Sequence, residues 1–230
     1  PPPLLYPHGG PWGQSLSGVA HTTIHLLALV DRSITVVVPN IHGSTGYGKP
    51  WQEAIHKDWG GIDLRDLRAV SDWLVAQPDL DPARLGVYGG SYGGFATLLC
   101  VTRIPERWRC AVDLFGVANL VTMIEHAQPN WRRFLRRWIG DLATDRDKLV
   151  ERSPVTYLDA VLCPLLVIQG TNDPRVPQEE SDQVVERLRA NGGRVEYLVI
   201  EDEGHGFTKR ANADRAYARI VDFLTAELTL

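Results

Sequence analysis

The chain has 230 residues, 44% of them hydrophobic, which is typical of one globular domain that buries a sizeable core. Its formal net charge of −4 offers no basic surface for nucleic acid. No apolar run is long enough to cross a membrane, and the first residues do not resemble a signal peptide. We therefore expect a single domain over residues 1–230 without a nucleic-acid or membrane partner.

Three cysteines, Cys100, Cys110 and Cys163, lie in or beside predicted core segments. They lack the spacing of a metal site, and disulfide frameworks use an even number of cysteines in secreted chains. We interpret them as buried thiols of a reducing compartment, and we expect a cytoplasmic protein without a metal or a cofactor.

Strand and helix patterns alternate along the chain, which predicts an α/β fold with a mostly parallel central sheet and helices on both faces. The strand pattern occurs at residues 4–6, 34–38, 85–88, 110–114, 165–168 and 195–200. The clearest helical patterns occur at residues 19–30, 61–77, 178–190 and 211–230.

Two glycine-rich loops lie in the first quarter of the chain. The first, residues 7–12, follows the first strand and contains His8, Gly9 and Gly10. It is either a simple Gly/Pro turn or, beside a nucleophile, one half of an oxyanion hole. The second, residues 39–49, does not fit a phosphate loop, because its Gly-Lys pair is followed by proline rather than serine or threonine. We therefore exclude nucleotide binding.

Ser91 stands at a tight turn from a strand to a helix. The apolar run that ends at residue 88 stops at glycine, Gly89 and Gly93 flank the serine, and a helical pattern begins at once. This is the Gly-x-Ser-x-Gly nucleophile elbow, in which the glycines leave room for the turn and the serine hydroxyl stays exposed. The backbone N–H groups after the turn favour the negative charge that develops when the serine attacks a carbonyl.

A lone Gly-x-Ser-x-Gly match recurs by chance, so the serine needs partners. In an α/β-hydrolase an acid follows the serine and a histidine follows the acid. Asp173 comes after the strand at residues 165–168, and His205 comes after the strand at residues 195–200. Open α/β sheets place their sites past the carboxyl ends of their strands. The sequence therefore predicts a triad of Ser91, His205 and Asp173 on an α/β-hydrolase fold.

Residues 119–159 form the least regular stretch, with tryptophan and arginine concentrated at residues 131–138. A basic-aromatic run can bind nucleic acid or a membrane, but the acidic residues that follow nearly balance its charge. We predict a cap-like helical insertion whose apolar side, including Trp131 and Phe134, lines an acyl pocket.

Six motifs together resemble one family. They are HGGP at residues 8–11, GSTGYG at 43–48, DWGGID at 58–63, GGSYGG at 89–94, QGTNDPRVP at 169–177 and EGHGF at 203–207. On these motifs the chain resembles the catalytic domain of the prolyl oligopeptidase family of serine peptidases, especially its acylaminoacyl-peptidase branch. The motifs span nearly the whole chain in the family's order.

The resemblance implies roles for the residues of the site. Ser91 is the nucleophile, His205 is the general base, and Asp173 is the acid that orients the base. The backbone N–H of Tyr92 supplies one oxyanion donor.

Two further roles follow from the resemblance. The second oxyanion donor differs between branches of the family: it is the N–H at Gly10 or the hydroxyl of Tyr47, and this chain has both residues. Arg175 matches an arginine that contacts substrate in the family. Its alternative interpretation is a surface cation.

Family members carry an N-terminal β-propeller and open their hydrolase domain with two antiparallel strands that have no counterpart here. The strand at residues 34–38 is then an apolar edge, which proteins usually cover. We therefore expect a partner chain, as in a homo-oligomer, or a further segment to pair with it.

Triad chemistry cleaves amides and esters alike, so the motifs leave the function open. The first hypothesis is a serine peptidase that cleaves short or N-acylated peptides through an acyl-enzyme, and the second is a free-standing carboxylesterase. A non-catalytic scaffold is the third hypothesis, and the presence of Ser91, Asp173 and His205 argues against it.

Overall fold

The computed structural model describes residues 1–18 and 23–229, and in these residues the chain folds around one β-sheet. Its strands are β1 (Pro3–Leu5), β2 (Thr35–Val37), β3 (Gly86–Gly90), β4 (Cys110–Leu114), β5 (Leu165–Gly170) and β6 (Val195–Ile200). Their order is β2-β1-β3-β4-β5-β6, and every pairing is parallel. The predicted α/β fold with a parallel central sheet is confirmed.

Helices connect the strands. Within the described residues they are α1 (Ile24–Asp31), α2 (Lys49–Glu53), α3 (Ile62–Val75), α4 (Tyr92–Arg103), α5 (Leu120–His126), α6 (Pro129–Trp138), α7 (Arg146–Arg152), α8 (Gln178–Ala190) and α9 (Arg210–Thr229). None of these helices combines the length and apolarity that a bilayer span needs.

Strand residues alternate between two apolar layers, one on each face of the sheet. Leu5 and Val87 belong to the layer that includes α3, α4 and α8, whereas Leu4 and Tyr88 belong to the layer that includes α1 and α9. This alternation follows from the period of two along a strand. Because both faces are covered, the central strands β3, β4 and β5 are mostly apolar, with Asp113 and Gln169 as exceptions, and this made them recognisable as buried strands.

The observed bounds differ from the predicted ones mainly at the ends of elements. β3 and β5 each continue two residues past the predicted end, because glycine and glutamine there still pair in the ladder although they carry no apolar signal. The helix predicted over residues 19–30 corresponds to α1, and residues 19–22 lie outside the described residues.

The three cysteines are free and buried. Burial raises the pKa of Cys163 to about 12, so this thiol is protonated at neutral pH and is a poor nucleophile. The buried environment agrees with the sequence prediction, and the cytoplasmic location inferred from it stays a prediction.

Candidate active site

Ser91 lies in the turn between β3 and α4, with φ 59° and ψ −121°. A residue other than glycine rarely adopts a positive φ, and such residues cluster at functional sites. The Ser91 N–H donates to the Leu114 carbonyl at 2.9 Å, and the Ser91 carbonyl accepts the Phe95 N–H at 3.0 Å. Backbone hydrogen bonds to β4 and within α4 therefore hold the serine in this conformation.

Two glycines make the turn possible. A Cβ on Gly89 would overlap the carbonyl of Gly93, and a Cβ on Gly93 would overlap the carbonyl of Pro7. The first turn of α4 therefore packs directly on the loop that follows β1. Gly9 of that loop lies beside the nucleophile, since a Cβ there would be 3.9 Å from the Cβ of Ser91.

The predicted Ser91, His205 and Asp173 come together. Nε2 of His205 lies 2.8 Å from Oγ of Ser91, and Nδ1 lies 2.6 Å from Oδ2 of Asp173. Because a carboxylate can only accept, Nδ1 carries the imidazole proton and Nε2 is free to accept the serine proton. The three residues follow β3, β6 and β5, whose parallel order brings their carboxyl ends to one edge of the sheet.

The carboxylate of Asp173 is fixed on both oxygens. Oδ2 faces the imidazole, while Oδ1 accepts the N–H groups of Arg175 at 2.8 Å and Val176 at 2.9 Å. The carboxylate is fully buried. It can therefore hold the imidazole in a single orientation and tautomer.

Glu203 anchors the loop that carries His205 to the start of α9. Its carboxylate accepts hydrogen bonds from the N–H and Oγ1 of Thr208, the N–H of Lys209 and Nδ2 of Asn212, at 2.9 to 3.0 Å. These bonds, with the Thr208 N–H contributing most, lower the pKa of Glu203 to about 2.

We expect Glu203→Gln to remove an acid-sensitive part of the stability. Because the folded-state pKa of about 2 lies below the ordinary value of 4.5, this carboxylate stabilises the fold above pH 4.5 and loses that contribution as the pH falls toward 2. The Tm difference between wild type and variant, measured by thermal denaturation, should be largest above pH 5 and shrink toward pH 2. Glu186→Gln, on the exposed side of α8, is the control. A Tm difference that stays constant over this range would contradict the assignment.

Two of the three predicted oxyanion residues lie beside Ser91. Tyr92 is the first residue of α4, where backbone N–H groups have no acceptor within the helix. Gly10 lines the same cavity as Ser91 and Tyr92, and its φ of +129° is open mainly to glycine. Tyr92 and Gly10 therefore border the same cavity as the serine.

Tyr47 has a different environment. Its hydroxyl accepts a hydrogen bond from Nδ2 of Asn40 at 2.8 Å, and the residue is 53% exposed. Among the described residues that line the cavity at Ser91, Gly10 is present and Tyr47 is not. Of the two alternatives that the sequence left open for the second oxyanion donor, the geometry favours Gly10.

Asp63 links the DWGGID motif to Tyr92. Its carboxylate accepts the hydroxyl hydrogen of Tyr92 at 2.8 Å and the N–H of Gly60 at 3.0 Å. Burial raises the pKa of Asp63 to about 6, although these hydrogen bonds act in the opposite direction. The ring of Trp59 packs edge-on against the ring of Tyr92, with the ring centroids 4.8 Å apart. Tyr92, which directly follows Ser91, is therefore anchored through its own side chain.

A cavity of about 170 Å³ opens beside Ser91. Its apolar lining includes Trp12, Trp59, Val117, Met123, Trp131, Leu135 and Ile139. Arg175 also lines it, and the guanidinium of this exposed residue makes no ion pair with the described part of the chain. The cavity therefore combines an apolar interior with one cation.

Helix α6 supplies one wall of the cavity. Trp131, Leu135 and Ile139 follow each other at four-residue spacing and line it. Phe134 and Trp138 lie on the neighbouring row and pack against Trp12, with ring centroids 5.3 and 4.7 Å apart. The sequence placed Phe134 in the lining, but this ring is absent from it and packs edge-on against the lining residues Trp12 and Trp131 instead.

The sequence missed the loop residues of the cavity. Trp12, Trp59 and Val117 each line it from a different loop. Trp59 belongs to the DWGGID motif, and Trp12 directly follows the HGGP motif. Their closeness to these motifs was the available sequence signal for a role at the site. An isolated loop residue has no periodic pattern that would reveal the direction of its side chain.

Residues 20–230 match the sequence profile of the prolyl oligopeptidase family. The chain belongs to this family. The resemblance inferred from the six motifs is thereby confirmed.

Two curated relatives of this prolyl oligopeptidase family chain are named as a dipeptidyl aminopeptidase and an acylamino-acid-releasing enzyme. Dipeptidyl aminopeptidase BIII of Pseudoxanthomonas mexicana is 38% identical over 231 residues, which cover 98% of this chain and 33% of that protein. The acylamino-acid-releasing enzyme of Arabidopsis thaliana is 28% identical over 207 residues, which cover 86% of this chain and 26% of that protein. The chain thus spans about a third of the length of the first of these relatives.

A solved structure has the same fold over nearly the whole chain. The puromycin-hydrolyzing peptidase of Mycobacterium tuberculosis superposes with a TM-score of 0.92 at 33% identity. The match covers 99% of this chain and 34% of that one.

Proposed function

We propose that this chain is a serine peptidase domain that hydrolyses short peptide substrates through an acyl-enzyme. The observation that carries the proposal is the hydrogen-bonded row of Ser91, His205 and Asp173 beside an apolar cavity. The relatives favour amide over ester substrates, since they are named as a dipeptidyl aminopeptidase and a puromycin-hydrolyzing peptidase.

The proposed mechanism assigns one task to each group. Oγ of Ser91 forms a bond to the substrate carbonyl carbon while its proton passes to Nε2 of His205. The charge that develops on the carbonyl oxygen is met by the N–H groups of Tyr92 and Gly10, and one such donor is worth about 3 kcal/mol of barrier. The imidazolium, stabilised by Asp173, then protonates the leaving amine as the C–N bond breaks. Water repeats these steps on the acyl-enzyme and releases the acid.

The cavity supports a preference for one aromatic or long aliphatic side chain next to the scissile bond. Its volume is about 170 Å³, and an apolar protein cavity of about 150 Å³ holds one benzene ring. We assign the exposed guanidinium of Arg175 to a carbonyl or acyl oxygen of the same substrate, because it makes no ion pair among the described residues.

A parallel assay tests the proposal. The substrates are p-nitroanilides of N-acetyl-aminoacyl groups and of dipeptides with a free amino terminus, each with Phe or Gly before the scissile bond, and p-nitrophenyl esters of short acids. We expect turnover of the amides, with Phe preferred over Gly. Ester turnover without amide turnover would replace the proposal with the carboxylesterase hypothesis, and the absence of both activities would refute it.

Trp131→Ala should reduce the preference for aromatic substrates. This half-exposed ring forms part of the wall, so its removal opens the cavity without leaving a void in the core. Burying an aromatic side chain is worth about 1.5–3 kcal/mol, and losing part of that contact should lower kcat/KM for Phe substrates roughly tenfold. The ratio of kcat/KM for Phe and Gly substrates is the measurement. Trp73→Ala, which removes an exposed ring on α3, is the matched control and should leave this ratio unchanged.

Residues 119–159 contribute α5, α6 and α7 to the side of the site. We propose that this segment acts as the cap predicted from the sequence, within a single domain over residues 1–230. Its support is the row of α6 residues in the cavity wall.

The exposed edge of β2 is the basis for a proposed partner. β2 pairs with β1 on one side, and no described strand pairs with its other side. A free strand edge is a template for association, so we propose that a second copy of the chain or a further segment covers it. A monomeric mass by light scattering, with β2 amides exchanging rapidly in hydrogen exchange, would contradict this.

A further inference from the structure

Phe115 has an unusual backbone conformation next to the proposed base. It directly follows β4 and has a φ of +42°, which is a genuine outlier for a bulky side chain. The residue is only 8% exposed. Its N–H donates to the carbonyl of Ile168 at 2.8 Å, so the backbone is anchored to β5. Such an outlier at a functional site calls for a functional explanation.

A buried carboxyl group holds this conformation. Oδ1 of Asp113 accepts the N–H of Gly116 at 3.0 Å, which closes a tight turn around Phe115. A Cβ on Gly116 or on Gly94 would overlap this same oxygen, so the chain is packed closely around it. Asp113 is fully buried, and its Oδ2 has no hydrogen-bond partner among the described residues. A buried carboxyl group with a free oxygen is unfavourable for stability, which points to a role other than stability.

The turn directs the ring of Phe115 against His205. The centroids of the two rings are 4.7 Å apart and their planes are inclined by 45°. The ring of Phe207 also packs edge-on against Phe115, with ring centroids 6.1 Å apart. The two imidazole nitrogens of His205 are thus hydrogen-bonded to Ser91 and Asp173, and the imidazole ring also packs against the ring of Phe115.

An aromatic ring at this distance distinguishes the two charge states of the imidazole. The π-system of phenylalanine attracts a cation within about 6 Å of its centroid, whereas a neutral ring gains only packing. In the proposed mechanism the imidazole becomes positively charged when it takes the serine proton. A contact that strengthens in this step accelerates the reaction rather than merely binding the substrate.

We propose that Phe115 is a positioning residue for His205. Its ring, held by the turn between Asp113 and Gly116, keeps the imidazole in line between Ser91 and Asp173 and stabilises its charged form. The inference rests on the proposed role of His205 as the general base.

Three carboxyl groups are hydrogen-bonded to the imidazole or to the segments around it. Asp173 is bonded to it directly. The carboxylate of Glu203, on the same loop, is engaged by Thr208, Lys209 and Asn212. The Asp113 carboxyl group is engaged on one oxygen by Gly116, beneath the turn. Burial raises the pKa of Asp113 to about 7, so the titration of this carboxyl group is followed beside that of His205 in each variant.

Phe115→Leu tests the inference, because leucine keeps an apolar contact and removes the π-system. The readouts are the pH profile of kcat/KM and an NMR titration of the His205 imidazole, assigned by the signal lost in His205→Asn. We expect kcat to fall about three- to tenfold with KM changed less than twofold. The acidic limb of the profile and the titration midpoint should both move about half a pH unit lower.

Two further variants complete the design. Phe115→Tyr keeps the ring and should restore both readouts, and Phe207→Leu removes a neighbouring ring and should leave the titration midpoint in place. If Phe115→Leu does not fold, Phe115→Met provides the same comparison. A midpoint that does not move in the folded variant, or a Tyr variant that behaves like Leu, would overturn the inference. The NMR titration needs no turnover, so failure of the proposed function would be seen separately as the absence of hydrolysis in the wild type.

Discussion

Ser91→Ala is expected to abolish hydrolysis, with kcat lowered roughly 10⁶-fold, as for loss of the nucleophile in other serine peptidases. The hydroxyl of Ser91 makes one hydrogen bond, to Nε2 of His205, and the turn itself is held by backbone bonds to Leu114 and Phe95. The variant should therefore fold normally and lose only its chemistry. Covalent labelling by a fluorophosphonate, read by intact mass, and turnover of the preferred amide are the measurements.

Ser17→Ala is the matched control, since this serine is exposed and lies in the loop before α1. It should keep both labelling and turnover. A Ser91→Ala protein that still takes up the fluorophosphonate at one site would show that the nucleophile is another residue, and the proposed mechanism would fail.

Asp173→Asn should lower kcat about 10⁴-fold without unfolding the protein. The asparagine oxygen can still accept the N–H groups of Arg175 and Val176, which bind Oδ1 of the aspartate at 2.8 and 2.9 Å. Its amide nitrogen then faces Nδ1 of His205 and donates to it. The imidazole proton moves to Nε2, where it blocks acceptance of the serine proton.

Steady-state kinetics together with circular dichroism separate the chemical defect from a folding defect. Asp182→Asn is the matched control. The Asp182 carboxylate on α8 accepts the hydroxyl hydrogen of Tyr197 on β6 and makes no bond to the triad, so we expect near-normal kcat. Full activity of Asp173→Asn would show that the imidazole needs no carboxylate and that the triad assignment is wrong.

The parts of the site that were predictable from the sequence are those set by local rules. The elbow around Ser91 needs glycine at fixed offsets, because Gly89 and Gly93 have no space for a Cβ, and so it leaves a recognisable motif. Asp173 and His205 each follow a strand rich in apolar residues, so their positions could be derived from the strand pattern and the rule that parallel strands place sites at their carboxyl ends.

The details that sequence reasoning missed depend on the direction of side chains between elements. Phe134 and Leu135 are neighbours in the chain, but a helix turns by about 100° per residue, so only Leu135 reaches the cavity while Phe134 packs on Trp12. No apolar periodicity distinguishes the two rows, because both are apolar and both are partly or fully covered.

The amino-acid sequence by itself thus determined the parallel α/β fold, the family and the three residues proposed as the triad, because all of these depend on local patterns and their order along the chain. Only the tertiary structure favoured Gly10 over Tyr47 as the second oxyanion donor and brought the ring of Phe115 onto His205. Both outcomes depend on contacts between segments that are far apart in sequence. Such contacts are decided by how β4, β6 and the loop after β1 pack together, and packing leaves no motif in any one segment.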